Sequence, residues 1–137
     1  VTIILNLNID LNSNQSLKST MNLYINENKL NIEFTFTEQL LAVSWRKSWT
    51  IPLAHITQVK TAEPESNWKE IRAPGSFIPG LIKAGTYYTD RGKEFWYVNR
   101  DKDYLTIELQ NESYQRIILT IDNNKYWQER LNQLITH

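Results

Sequence analysis

Two histidines, a group of carboxylates and one glycine-rich stretch are where this chain could carry chemistry. His137 is terminal, and His55 lies between Ala54 and Ile56 with no second ligand at metal-binding spacing. A structural zinc needs four ligands at closely defined spacings, so His55 reads as a surface or turn histidine. Glu63, Glu65 and Glu70 fall in "AEPESNWKEIRAP". Paired acids can do general acid–base work, including glycoside hydrolysis. A polar run broken by prolines is instead expected to be a solvated loop. Ser, His and Asp all occur, but without a nucleophile-elbow motif. The chain has no cysteine, which rules out disulfides, thiol nucleophiles and Cys-ligated metal sites. We expect no catalysis, no metal and no cofactor.

The glycine-rich stretch is "RAPGSFIPGLIKAGTYYTDRG", residues 72–92, which holds all four glycines. Gly75, Gly80 and Gly85 are spaced by five. A phosphate-binding P-loop needs Lys and then Ser or Thr after its last glycine. Here Gly80 is followed by Leu81 and Gly85 by Thr86, and no dinucleotide fingerprint is present. Pro74-Gly75 and Pro79-Gly80 are turn dipeptides, in which Pro fixes φ and Gly accepts a positive φ. The stretch is therefore expected to be a shaped, sheet-crossing loop, with Phe77, Ile78 and Leu81 tucked inward.

The elements around it read as strands. "LNIEFTF" alternates, with Leu30, Ile32, Phe34 and Phe36 on one face. "LLAVSW" places Leu41, Val43 and Trp45 together, and "WTIPL" places Trp49, Ile51 and Leu53 together. Pro52 cannot donate to a ladder, so its strand lies at an edge or ends there. "HITQVKTAE" continues extended, anchored by Ile56 and Val59. Strand character returns over Ile82–Tyr88, and "TDRGK" closes a hairpin at Gly92 onto "EFWYV". "YLTIELQ" and "YQRIILTID" form a further antiparallel pair. The total is about seven strands with no βαβ rhythm. "DNNKYWQERLNQLITH" carries Trp127, Leu131, Leu134 and Ile135 on one helical stripe, over residues 122–136, with Asp122 or Asn123 as cap.

Residues 22–137 are one domain's worth of chain. The preceding segment, 1–21, is nearly all Ile, Leu, Asn, Ser and Thr before the single methionine, Met21. It supports two readings: an added edge strand, since "ILNLNIDL" alternates, or sequence upstream of a start at Met21. Residues 12–20 are expected to be poorly ordered in either case. No apolar run is long enough for a membrane span. Lys plus Arg and Asp plus Glu are both 15, which argues against nucleic acid as a partner.

The strand order with one terminal helix resembles the pleckstrin-homology (PH) order. "IPLAHITQVK" is similar to a recurrent segment of bacterial PH-like domains. Within residues 72–98, Pro74, Gly75, Ser76, Pro79, Gly80, Gly85, Tyr87, Gly92 and Val98 match the glycine–proline pattern of one such family. Ser76 stands where Thr is usual, and Asn123-Asn124 where a proline often sits. The resemblance spans roughly residues 30–135. It implies a mainly β, PH-like split barrel of about seven antiparallel strands closed by a C-terminal helix. The family's biochemical role is largely undefined. We expect a cytoplasmic, non-catalytic module that binds a protein at a sheet edge or groove, with homo-oligomerisation through strand edges as a subordinate reading. Peripheral binding to anionic lipid headgroups through the Trp45–Trp49 turn is the alternative. Candidate binding residues are Trp45, Arg46, Lys47, Trp49, Arg72 and Lys83, and Trp68 and Trp96 join them if exposed.

Overall fold

The computed structural model describes residues 21–34, 48–64, 71–72, 81–99 and 101–136. β1 (Asn22–Asn26) and β2 (Lys29–Glu33) form a hairpin, and β3 (Ser48–Pro52) adds to β2. β1 is not among the strands expected from the sequence. Its turn uses Glu27 (φ 52°) and Asn28 (φ 61°) rather than glycine. Two consecutive left-handed residues suit the twist of a two-residue hairpin, and Asn tolerates that conformation. The alternation expected of "LNIEF" is realised: Leu23, Ile32 and Trp49 lie in one cross-strand row, and Ile25, Leu30 and Ile51 in the next. On the opposite face the Tyr24 hydroxyl donates to Glu33, and Thr50 Oγ1 to Asn31 Oδ1. β3 is an outer strand of this three-stranded sheet, the place its terminal Pro52 requires.

A short 3-10 turn, Leu53–His55, leads into β4 (Ile56–Lys60). β5 (Ile71–Arg72), β6 (Leu81–Thr89), β7 (Gly92–Asn99), β8 (Tyr104–Leu109) and β9 (Arg116–Thr120) follow. With β4 they form a six-stranded sheet in the order β4-β8-β9-β7-β6-β5. The two expected hairpins, β6–β7 and β8–β9, are present. The expectation of about seven strands, all antiparallel, needs correcting. Nine strands are described, and β7 pairs with β9 in parallel. The expectation took neighbours in sequence as neighbours in space. The chain instead leaves β7, crosses to lay β8 beside β4, and returns with β9 between β8 and β7. Among the described residues the two sheets do not close into a barrel.

The sheets pack face to face. Phe34 and Trp49 meet Phe95 edge-on at centroid distances of 5.7 and 5.5 Å, and Trp49 also meets Tyr114 at 4.8 Å. Such contacts add to simple burial because ring edges and faces carry opposite partial charge. Met21, placed in the N-terminal extension by the sequence reading, belongs to this core. The helix α1 (Asn124–Ile135) closes one end against β4 and β8. Asn123 is its N-cap but makes no side-chain capping bond. Asn124 does the anchoring: its Nδ2 donates to the Tyr104 carbonyl, and its Oδ1 accepts from the Lys125 amide. Trp127 and Leu131 are buried and Ile135 packs against the core, but Leu134 is 38% exposed. Leu134 is therefore not a core residue: it lies at the edge of an apolar stripe whose centre alone is covered. Residues 1–20, Leu41 and Val43 lie outside the described residues. No helix among the described residues is long and apolar enough to cross a membrane.

Candidate functional site

β7 runs through the middle of the larger sheet, and its "EFWYVN" is buried at every position. A strand covered on both faces loses its apolar–polar alternation. Phe95 and Tyr97 face the core between the sheets, while Trp96 and Val98 join Tyr87, Tyr104 and Ile118 in a second cluster on the outer face. Trp96 is therefore buried, not an exposed binding aromatic. The outer face is ordered by strand register. One cross-strand row runs Lys60, Thr106, Ile118, Trp96, Gly85; the next runs Gln58, Glu108, Arg116, Glu94, Tyr87.

Glu94 anchors this face. Its carboxylate is fully buried. Oε2 accepts from Arg116 Nε at 2.7 Å and from Arg91 Nε at 3.2 Å, and Oε1 accepts from Trp96 Nε1 at 3.0 Å. A buried carboxylate is tolerable only with such charge-assisted partners. The Trp96 ring is flanked by Lys83 Nζ, 3.7 Å from its centroid, and by Arg116 Cζ at 5.6 Å. Gly85, opposite Trp96, has no side chain to compete with Lys83 for the indole. Its φ is +128°, a backbone region that side chains strain to reach.

Beside this network is a cavity of about 380 Å³, lined by Lys60, Glu63, Arg91, Thr106, Glu108 and Arg116 among others. Its size lies at the lower end of pockets that enclose ligands. Lys60 and Glu108 pair at 2.8 Å. Burial, together with the charge of Glu63 and a hydrogen bond to it, pushes the Tyr104 phenol pKa up. Thr106 Oγ1 is buried and has no hydrogen-bond partner among the described residues. An unmet buried hydroxyl costs about 1–3 kcal/mol, and among the described residues no other buried side-chain polar atom lacks a partner.

The residues singled out from the sequence fare unevenly. Trp49 is 4% exposed and packed in the core, so it is no membrane-facing anchor. Trp45, Arg46, Lys47 and Trp68 lie outside the described residues. Arg72 contributes backbone to β5, opposite Tyr87 on β6. Lys83 does reach the outer face, stacked over Trp96 and Tyr87. Of the loop residues, Gly85 and Gly92 take positive φ, while Pro74, Gly75, Pro79 and Gly80 lie outside the described residues. Of the acidic run, Glu63 reaches the cavity, and Glu65 and Glu70 are not described. His55 ends the 3-10 turn, with Nδ1 2.5 Å from Glu112 Oε2. Among the described residues no three metal-ligating side chains converge.

The sequence reading did not single out Glu94, Arg91, Arg116, Thr106 or Lys60. One signal was available: a lone acid opening the apolar run "EFWYV" at the same parity as Trp96. Pairing Glu108 with Arg116 across the β8–β9 hairpin was also open to a register argument. Compared with family models, curated proteins and solved structures, the chain matches none.

Proposed function

We propose that this domain is a non-catalytic binding module that takes a protein partner in the cavity on the outer face of its six-stranded sheet. The observation that carries this is a cavity of mixed charge built largely on sheet strands, with a buried hydroxyl in its lining that has no partner among the described residues. Strand addition at the neighbouring β4 edge is less suited. α1 packs along β4, and Asn132 Nδ2 already donates to the Val59 carbonyl at 3.2 Å. Of the two modes considered, edge or groove, the groove is favoured. A polyanionic lipid headgroup suits the cavity poorly, because Glu63 and Glu108 line it alongside the cations. A peptide carries donors and acceptors together and meets both signs.

The PH-like assignment is part of this proposal. It is supported by the terminal helix and by the positive φ at Gly85 and Gly92. The parallel β7–β9 pair departs from an all-antiparallel order and counts against it.

The test is selection from a displayed random-peptide library on the full chain and on a Lys60→Glu/Arg91→Glu variant. A sequence motif enriched by the wild type and lost in the variant supports the proposal. No motif, together with sedimentation on anionic vesicles that an Arg46→Glu/Lys47→Glu variant loses, would replace it with lipid binding.

A further inference from the structure

Resting on that reading, we infer that the group the cavity takes from its protein partner is an uncharged primary carboxamide, the side chain of an Asn or Gln. The charges of the site decide this first. Lys60, Arg91 and Arg116 line the cavity together with Glu63 and Glu108, and Glu94 holds both arginines from beside it. Cations and carboxylates therefore balance. A guest of either net charge would bring a charge without a counterpart into a partly desolvated site, which is costly. A neutral guest keeps the balance.

The bonding capacity left over decides the rest. Arg91 reaches Glu94 through Nε, and its terminal nitrogens make no hydrogen bond among the described residues. The Thr106 hydroxyl is buried and has no partner among the described residues. The Glu63 carboxylate is engaged by Tyr104 and that of Glu108 by Lys60, whereas a carboxylate offers about four acceptor sites. The lining thus holds unspent donors and unspent acceptors together. A carboxamide has two lone pairs on its oxygen and two N–H donors on its nitrogen. The oxygen matches Arg91 and Thr106, and the N–H groups match Glu63 and Glu108. A hydroxyl brings a single donor, and an apolar side chain brings none. The cavity, about 380 Å³, holds such a side chain with room for flanking backbone.

The experiment titrates the full-length, ¹⁵N-labelled chain with hexapeptide pools, N-acetylated and C-methylamidated so that the ends carry no charge. One central position is fixed as Gln, Glu, Lys or Ala, and the others are randomised without Asn, Gln or charged residues. The readouts are the Trp96 indole N–H and the Arg91 Nε–H resonances, whose hydrogen bonds end on Glu94. The Gln pool should shift both, with the Glu, Lys and Ala pools binding about tenfold more weakly, the loss of one charge-assisted hydrogen bond. Thr106→Val should erode the advantage of Gln over Ala while leaving the unliganded fold as stable or more so. Glu63→Gln removes one negative charge and should move the preference from the Gln pool to the Glu pool, a response that a purely structural role does not give. A ranking left unchanged by Glu63→Gln overturns the inference. A Glu, Lys or Ala pool that binds as tightly as the Gln pool keeps the protein-partner reading and removes this one. No binding of any pool removes both.

Discussion

Replacing Glu94 by Leu tests whether the outer face is held by its buried carboxylate. The carboxylate is 0% exposed, and the Arg116 side chain facing it is 11% exposed. Removing one partner of such a pair leaves a desolvated cation, which costs about 3–5 kcal/mol. The Trp96 N–H also loses its acceptor, whereas Arg91, 44% exposed, can return to water. With a urea slope of about 2 kcal/mol/M, the midpoint should fall by roughly 1.5–2.5 M. Arg116→Met alone should cost less, because Glu94 keeps Arg91 and Trp96. The double variant removes both buried charges together and should cost less than the sum of the singles. We expect a coupling of about 2 kcal/mol, within the range seen for residues in contact. The assay is urea unfolding followed by far-ultraviolet circular dichroism on all four proteins. Single effects that add to within about 0.5 kcal/mol would refute the reasoning, since that is how independent sites behave.

Three further outcomes follow from named positions. Gly85→Val forces a β-branched residue to φ +128° opposite Trp96 and should cost about 1–3 kcal/mol, visible as a lower Tm in calorimetry. Leu131→Ala should cost about 2–5 kcal/mol because Leu131 is fully buried, whereas Leu134→Ala should stay within about 0.5 kcal/mol in the same urea series. The Tyr104 phenol is raised above 10.0 by burial, then by the charge of Glu63 and a hydrogen bond to it. The folded chain therefore holds this proton above the pH at which the unfolded chain releases it. That contribution is complete below pH 10 and is lost as pH rises through the folded value. Stability measured from pH 8 to 11 should decline less steeply in Tyr104→Phe than in the wild type.

What could be read from the sequence follows physical lines. Period-two alternation identified the faces of β2 and β3, because each has one buried and one wet side. The β6–β7 hairpin was marked by Gly92, and α1 by the spacing of Trp127 and Leu131. β1 escaped because its turn reaches left-handed geometry with Glu27 and Asn28 instead of glycine. The parallel β7–β9 pair escaped because it joins segments separated by β8, and no local pattern records such a crossing. Attention to exposed aromatics misled the site reading: Trp49 and Trp96 are buried, and Trp96 contributes by donating to Glu94. The cavity itself is assembled from β4, β8, β9 and the β6–β7 turn, so its residues are scattered along the chain.

The most direct test of the central claim, that the outer face of the six-stranded sheet is the binding surface, is an amide and indole chemical-shift map of the full chain with a library-selected peptide. The account predicts shifts at Lys60, Arg91, Thr106, Arg116 and the Trp96 indole, with the β1–β3 sheet unchanged. Shifts confined to β1 or β3, with Thr106 and the Trp96 indole unmoved, would contradict it.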